Sequence, residues 1–294
     1  MGLNDYLKSL KSDDWLTPLY KAGADVQGPG WGNPRTYASP SASSASCPRD
    51  VELSVLGYST GFAEKNRDRM DNGTAAHERI QRRFDRAGIL YKAELGLAFF
   101  RDGYIFEGSF ESRDAREAMQ DEHGHLIWQG VVDVMASRPG SNKLYVGEIK
   151  SMGQWRFKKL PEQLDDWERM ATVMLRSEAS YTKQAMQYIV KAREAGYDVA
   201  DEAFMFFEDT NTQDYRVVWI KPSQAHLDLA FQNAEIALEA VREGFLVEPP
   251  FERMSRECRS CYKASICNLL RDNDPTEVAN VERQLQRAAE AFAR

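Results

Sequence analysis

Residues 130–150, GVVDVMASRPGSNKLYVGEIK, decide the fold. Two runs rich in Val, Met, Leu, Tyr and Ile flank the turn-forming RPGSN, which reads as a β-hairpin. Folded about the Gly140–Ser141 link, the hairpin sets Asp133 and Glu148 at equal distances from the turn. They then face each other across the strands, close enough for both carboxylates to hold one cation. Strand alternation puts Leu144, Val146, Glu148 and Lys150 on one face, so Lys150 points the same way as Glu148, one pleat further on.

That grouping suits attack on a phosphodiester. Oxygen ligands can hold Mg²⁺ or Mn²⁺ to polarise the phosphate and activate a water. A neighbouring lysine can position that water and neutralise developing charge. The backbone carbonyl of Ile149, between the two side chains, is a further candidate ligand. The plain alternative is a solvated sheet face, since an Asp and a Glu-x-Lys in paired strands are common.

Working outward, DNGTAAHERIQRRFDRAG predicts a helix capped at Thr74 and ended by Gly88, with Ala76, Ile80 and Phe84 as its stripe. Residues 89–111 alternate as strands turning at Asp102-Gly103, and 112–124 are charged and irregular or briefly helical. Helices are expected at 161–177, 181–195, 223–243 and 275–293, and strands at AFMFFE (203–208) and YRVVWI (215–220). Ahead of all these, 5–22 reads as an amphipathic helix and 23–46 as a Gly/Pro/Ser-rich loop, with a helix starting near Pro48. The last helix carries Val278, Val281, Leu285 and Phe292 on one side, for packing on the chain or for a homo-oligomer contact.

The 294 residues carry a net charge of −7, with 43% hydrophobic and 28% charged residues. That suffices for one enlarged α/β core. The acidic balance argues against a protein that merely coats DNA, and hardly against one with a local basic channel. No run of about 18 apolar residues and no signal-peptide stretch occurs, so the expectation is a cytoplasmic protein without membrane contact.

The four cysteines are Cys47, Cys258, Cys261 and Cys267. In an intracellular chain such a set points to metal or catalysis. Cys258, Cys261 and Cys267 form C-x-x-C-x5-C, one ligand short of a four-ligand site. Four thiolates suit Zn²⁺ as well as an iron–sulfur cluster, although a structural zinc usually shows two C-x-x-C pairs and only one is present.

The ordered set G-x-x-D and E-x-K resembles the PD-(D/E)xK nuclease superfamily. Gly73-Thr-Ala-Ala-His77 is similar to the G-x-x-x-H motif of its RecB-like branch, and Gln184-Ala-Met-Gln-Tyr188 to the Q-x-x-x-Y motif. With the cysteines, the set resembles the iron–sulfur members, such as the CRISPR-associated "Cas four" and AddB-type exonucleases. The resemblance spans residues 47–267.

It implies an α/β, restriction-endonuclease-like mixed sheet flanked by helices, with an iron–sulfur-stapled helical periphery. Residues 1–46 would be an extension, 47–272 the nuclease domain and 273–294 a helix packed on it. The activity implied is a Mg²⁺- or Mn²⁺-dependent DNA exonuclease on single strands or free ends. His77 joins Asp133, Glu148 and the Ile149 carbonyl as metal ligands, and Lys150 and Gln184 act in catalysis. Cys47 completes a 4Fe–4S site.

For DNA contact the resemblance implies Tyr188. The basic stretch Trp155, Arg156, Lys158 and Lys159 adds candidate phosphate contacts, with Trp155 and Phe157 able to stack on a base. No G-x-x-x-x-G-K-[ST] loop is present, so any helicase or recombination or adaptation partner is a separate protein, in a phage or prokaryotic setting. The rivals are a structure-selective endonuclease using the same site and a non-catalytic DNA-binding protein stapled by its cysteines. Residues 1–46 and 101–127 are left without a role.

Overall fold

The computed structural model describes residues 28–45, 47–61, 64–160 and 179–293. The expected helices at 5–22 and 161–177 lie outside the described residues.

Six strands form the central sheet: β3 (Leu90–Phe100), β4 (Ile105–Glu107), β5 (Leu126–Ser137), β6 (Leu144–Met152), β7 (Val199–Asp209) and β8 (Tyr215–Ile220). Their order is β4-β3-β5-β6-β7-β8. All neighbours are antiparallel except β6 and β7. A parallel pair needs a long crossover, and residues 153–198 supply it, including α5 (Gln154–Phe157) and α6 (Ala179–Glu194). A separate two-stranded ladder joins β1 (Gly30–Trp31) to β2 (Tyr58–Ser59).

The sheet is covered on both faces. On one, Ala185, Met186, Tyr188 and Ile189 of α6 pack on Val132, Val146, Met205 and Phe207. On the other, Ile80 and Phe84 of α3 (Glu64–Arg86) pack on Val134, Ile149, Phe204 and Phe206. Near-continuous apolar β7 is the strand buried on both sides, as a parallel neighbour requires.

A second core joins the two ends of the chain. It sets α2 (Pro48–Val55) against α8 (Gln232–Glu243), α10 (Ala264–Arg271) and α11 (Pro275–Ala293) through Leu53, Leu56, Val241, Ile266 and Val281. Buried Glu52 ties this core together: it meets Arg49 at 3.1 Å and accepts from the Val247 backbone N–H. Arg49 in turn donates to the Val247 carbonyl.

Three helical expectations need correction. The helix carrying His77 starts at Glu64, not at Thr74. Gly73 lies inside it, where a Cβ would stand 3.6 Å from Ser151 Oγ. Packing on β6 carries the helix through the Asn72-Gly73 pair that reads as a stop. The expected helix over 223–243 is two, α7 (Gln224–Leu229) and α8, broken at Ala230-Phe231. Residues 23–46 are not all loop: Gly30–Trp31 is a strand and Pro40–Ser43 forms the short helix α1. Of the two readings for 112–124 the helical one holds, as α4 (Arg113–His123), capped by the Ser112 hydroxyl.

Candidate active site and cysteine cavity

The hairpin has the register set by the Gly140–Ser141 link: Ser137 pairs with Leu144 and Val134 with Gly147. The ladder then stops. One residue on, the Asp133 carboxylate takes the Ile149 N–H at 2.8 Å, in place of a backbone rung. Gly147 is required here, since a Cβ would stand 2.2 Å from the Phe204 ring.

At Asp133 the strand also changes face. Val132 belongs to the core under α6 and Val134 to the core under α3, though residues two apart normally share a face. Across the sheet, the rungs Leu95↔Val132 and Ala93↔Val134 bracket Glu94 and Asp133. Glu94 sits at φ +48°, the left-handed region that costs a non-glycine residue about 1–2 kcal/mol. That twist delivers its carboxylate to the site.

His77, Glu94 and Asp133 form the one trio of ligand-type side chains, among the described residues, whose donor atoms all lie within 4.8 Å of one another. His77 Nε2 stands 3.0 Å from the Ile149 carbonyl and 3.8 Å from Asp133 Oδ2. Two ligands at right angles on a small divalent cation, each about 2.1 Å away, are about 3.0 Å apart. On its far side, His77 Nδ1 lies 3.7 Å from Glu94 Oε1. Gln81 donates to both Glu94 and the Asp133 carbonyl, fixing them together.

Glu148 is fully buried beside this trio rather than within it. Lys150 Nζ donates to its Oε1, and its Oε2 has no hydrogen-bond partner among the described residues. Burial, reinforced by the charge of Asp133, pushes the Glu148 carboxyl up to about 8. Burial likewise raises Asp133, against the pull of His77 and Lys150. For His77 burial opposes the charge, but Glu94 and Asp133 outweigh it and the pKa rises. His77 holds Glu94 below the ordinary carboxylate value. Burial also opposes the charge on Lys150, and Glu148 and Asp133 outweigh it. Buried carboxylates with one oxygen unpartnered are a donor set that suits a divalent cation.

From α6, Gln184 donates to the Tyr188 hydroxyl at 2.9 Å, and Lys150 Nζ lies 5.2 Å from the Tyr181 ring. Tyr188 is 3% exposed, with its ring edge-on to Trp128. Beyond β6, Trp155 is 72% exposed with Lys159 Nζ 3.3 Å over its ring. Arg156 and Lys158 are exposed as well. Phe157 is buried beneath Arg216, so it is unavailable for the base stacking expected of it.

The structure thus brings together His77, Asp133, Glu148, the Ile149 carbonyl and Lys150, with Gln184 and Tyr188 on the neighbouring helix. The residues missed in the sequence are Glu94 and Gln81. An acid inside the apolar run LYKAELGLAFF was the available signal for the first.

All four cysteines are free and line one cavity of about 300 Å³. Cys47 precedes α2, while Cys258, Cys261 and Cys267 sit on α9 (Arg256–Ser260), at its end and on α10. Burial raises the thiols of Cys47, Cys261 and Cys267, that of Cys261 to about 11, and the charges of Cys47 and Cys258 act on Cys267. No three of the sulfurs lie within 4.8 Å of one another. One tetrahedral zinc with bonds of about 2.3 Å would hold them about 3.8 Å apart.

No family model and no curated protein matches the chain. Among solved structures, it is similar to one described as the crystal structure of SSO0001, at 13% identity and a TM-score of 0.40, over 80% of this chain and 88% of that one. No helix among the described residues is long and apolar enough to cross a membrane.

Proposed function

We propose that the chain is a Mg²⁺- or Mn²⁺-dependent DNA exonuclease of the PD-(D/E)xK, RecB-like type, built on a restriction-endonuclease-like core and stapled by a 4Fe–4S cluster on Cys47, Cys258, Cys261 and Cys267. The observation that carries the reading is the convergence of His77 Nε2, the Ile149 carbonyl and Asp133, with Lys150 on the adjoining Glu148.

His77, Asp133, Glu148 and the Ile149 carbonyl would hold the cation. When bound, it polarises the scissile phosphate and lowers the pKa of the attacking water. Glu94 Oε1, 3.7 Å from His77 Nδ1, is the carboxylate that would orient the imidazole with Nε2 towards the cation. Lys150, held between Glu148 and Tyr181, carries positive charge towards the attacking water and the pentacoordinate phosphate. Gln184 fixes the Tyr188 hydroxyl beside these groups.

The test is digestion of end-labelled linear single- and double-stranded DNA and of closed circles, with Mn²⁺, Mg²⁺ or EDTA, beside Lys150→Ala. Metal-dependent loss of linear DNA that spares circles and is absent in the variant is expected. Cut circles would make the enzyme an endonuclease. No cutting by folded, cluster-loaded protein would leave a DNA-binding protein.

A further inference from the structure

We propose that the cleft between Arg35 and Arg116 binds the phosphodiester backbone of an unpaired DNA strand and leads it to Asp133. This inference rests on the nuclease reading above and names the path of its substrate.

The cleft has a volume of about 330 Å³. One wall is the segment before α2, with Arg35, Tyr37, Ser39 and Ser41; Arg116 of α4 also lines it, as do Gln184 and Tyr188 of α6. The segment before α2 and Arg116 belong to the two stretches, 1–46 and 101–127, that the sequence motifs leave without a role. The floor is Gln129, Gly130 and Val131 on β5. At about 3.3–3.4 Å per residue, Val131 and Gly130 lie about 7 and 10 Å along the strand from Asp133.

The floor is itself built for close approach. A Cβ at Gly130 would stand 2.6 Å from Pro40, so glycine lets α1 press against β5. Tyr37 donates to Gln129, fixing wall to floor.

The charge in the cleft opposes that of the chain. The net charge of the whole is −7, yet no carboxylate lines the cleft among the described residues. Arg35 lies 5.9 Å over the Tyr37 ring. Neither Arg35 nor Arg116 forms an ion pair among the described residues, whereas Arg113 on the same helix is paired with Glu117. Two unpaired guanidiniums beside hydroxyl and amide donors match phosphate oxygens. The space of about 330 Å³ takes a nucleotide-sized group.

The test is binding of a fluorescent single-stranded oligothymidylate in EDTA, titrated over salt. The proteins are wild type, Arg35→Ala/Arg116→Ala, and Arg283→Ala as a charge control on α11. Each phosphate contact to a single strand contributes about 0.7 to the salt slope. The double variant should lose about 1.4 of that slope and bind about 25-fold more weakly at 0.1 M salt. The control should bind as wild type, and all three should share one melting temperature.

If wild type digests DNA while the double variant binds within twofold of it, the cleft is refuted and the nuclease reading stands. If wild type does not digest DNA, that reading fails, and the binding loss alone decides for or against the cleft. An equal loss for an end-capped duplex also overturns the single-strand assignment.

Discussion

Replacing Glu148 by Gln should remove a large part of the pH dependence of stability of the metal-free protein. Glu148 is fully buried, and its carboxyl titrates at about 8 against an ordinary 4.5. At about 1.4 kcal/mol per pH unit, that gap is worth about 5 kcal/mol. The sign follows from proton linkage. A carboxyl whose pKa is raised by folding favours the fold while protonated. Its contribution is complete below 4.5 and is lost as pH climbs through about 8. Between pH 5 and pH 8 the wild type should therefore fall by about 4 kcal/mol relative to Glu148→Gln. Urea unfolding in EDTA at half-unit intervals measures the difference curve, and titrating groups remote from Glu148 cancel between the two proteins. Excess Mn²⁺ should flatten the wild-type decline, because ionised Glu148 then has a cation to face, and leave the variant unchanged. Parallel curves in EDTA, within about 1 kcal/mol across the range, would refute the burial argument and with it the claim that this carboxylate awaits a cation.

Three further outcomes follow from the packing. Glu52→Ala strands buried Arg49 and the Val247 N–H, and should cost about 3–5 kcal/mol in chemical denaturation; a loss below about 1 kcal/mol would show that the pair does not fasten the second core. Gly147→Ala drives a methyl into the Phe204 ring and should cost about 1–3 kcal/mol, read as a lower melting temperature with activity falling alongside it. Wild type purified without oxygen should carry about four iron atoms per chain, and Cys261→Ser should lose them and melt earlier; one zinc per chain in wild type would overturn the cluster assignment.

The hairpin was legible because its information is local. RPGSN fixes the turn, and period-two alternation then determines which side chains meet, with no reference to the rest of the chain. Helix ends were less so. Asn72-Gly73 reads as a break, but the helix runs on through it against β6, and that packing outweighs the propensity. The cleft was not legible at all. Arg35, Arg116 and Gln184 come from three separate elements, and only the fold shows that no acid stands among them.

Glu94 is the instructive case between these limits. Its strand is apolar enough to read as ordinary core. It arrives by leaving β geometry, opposite a position where β5 also exchanges faces. Both departures serve the same end. An unbroken ladder would use the Ile149 N–H as a backbone rung, and Asp133 would have no fixed orientation. Breaking it frees that N–H to hold Asp133 and leaves the Ile149 carbonyl facing His77. The irregularity costs about 1–2 kcal/mol at Glu94 alone, and the closely packed apolar layers on both faces absorb it. A sheet regular enough to be read from its sequence would not gather His77, Glu94 and Asp133 within 4.8 Å of one another.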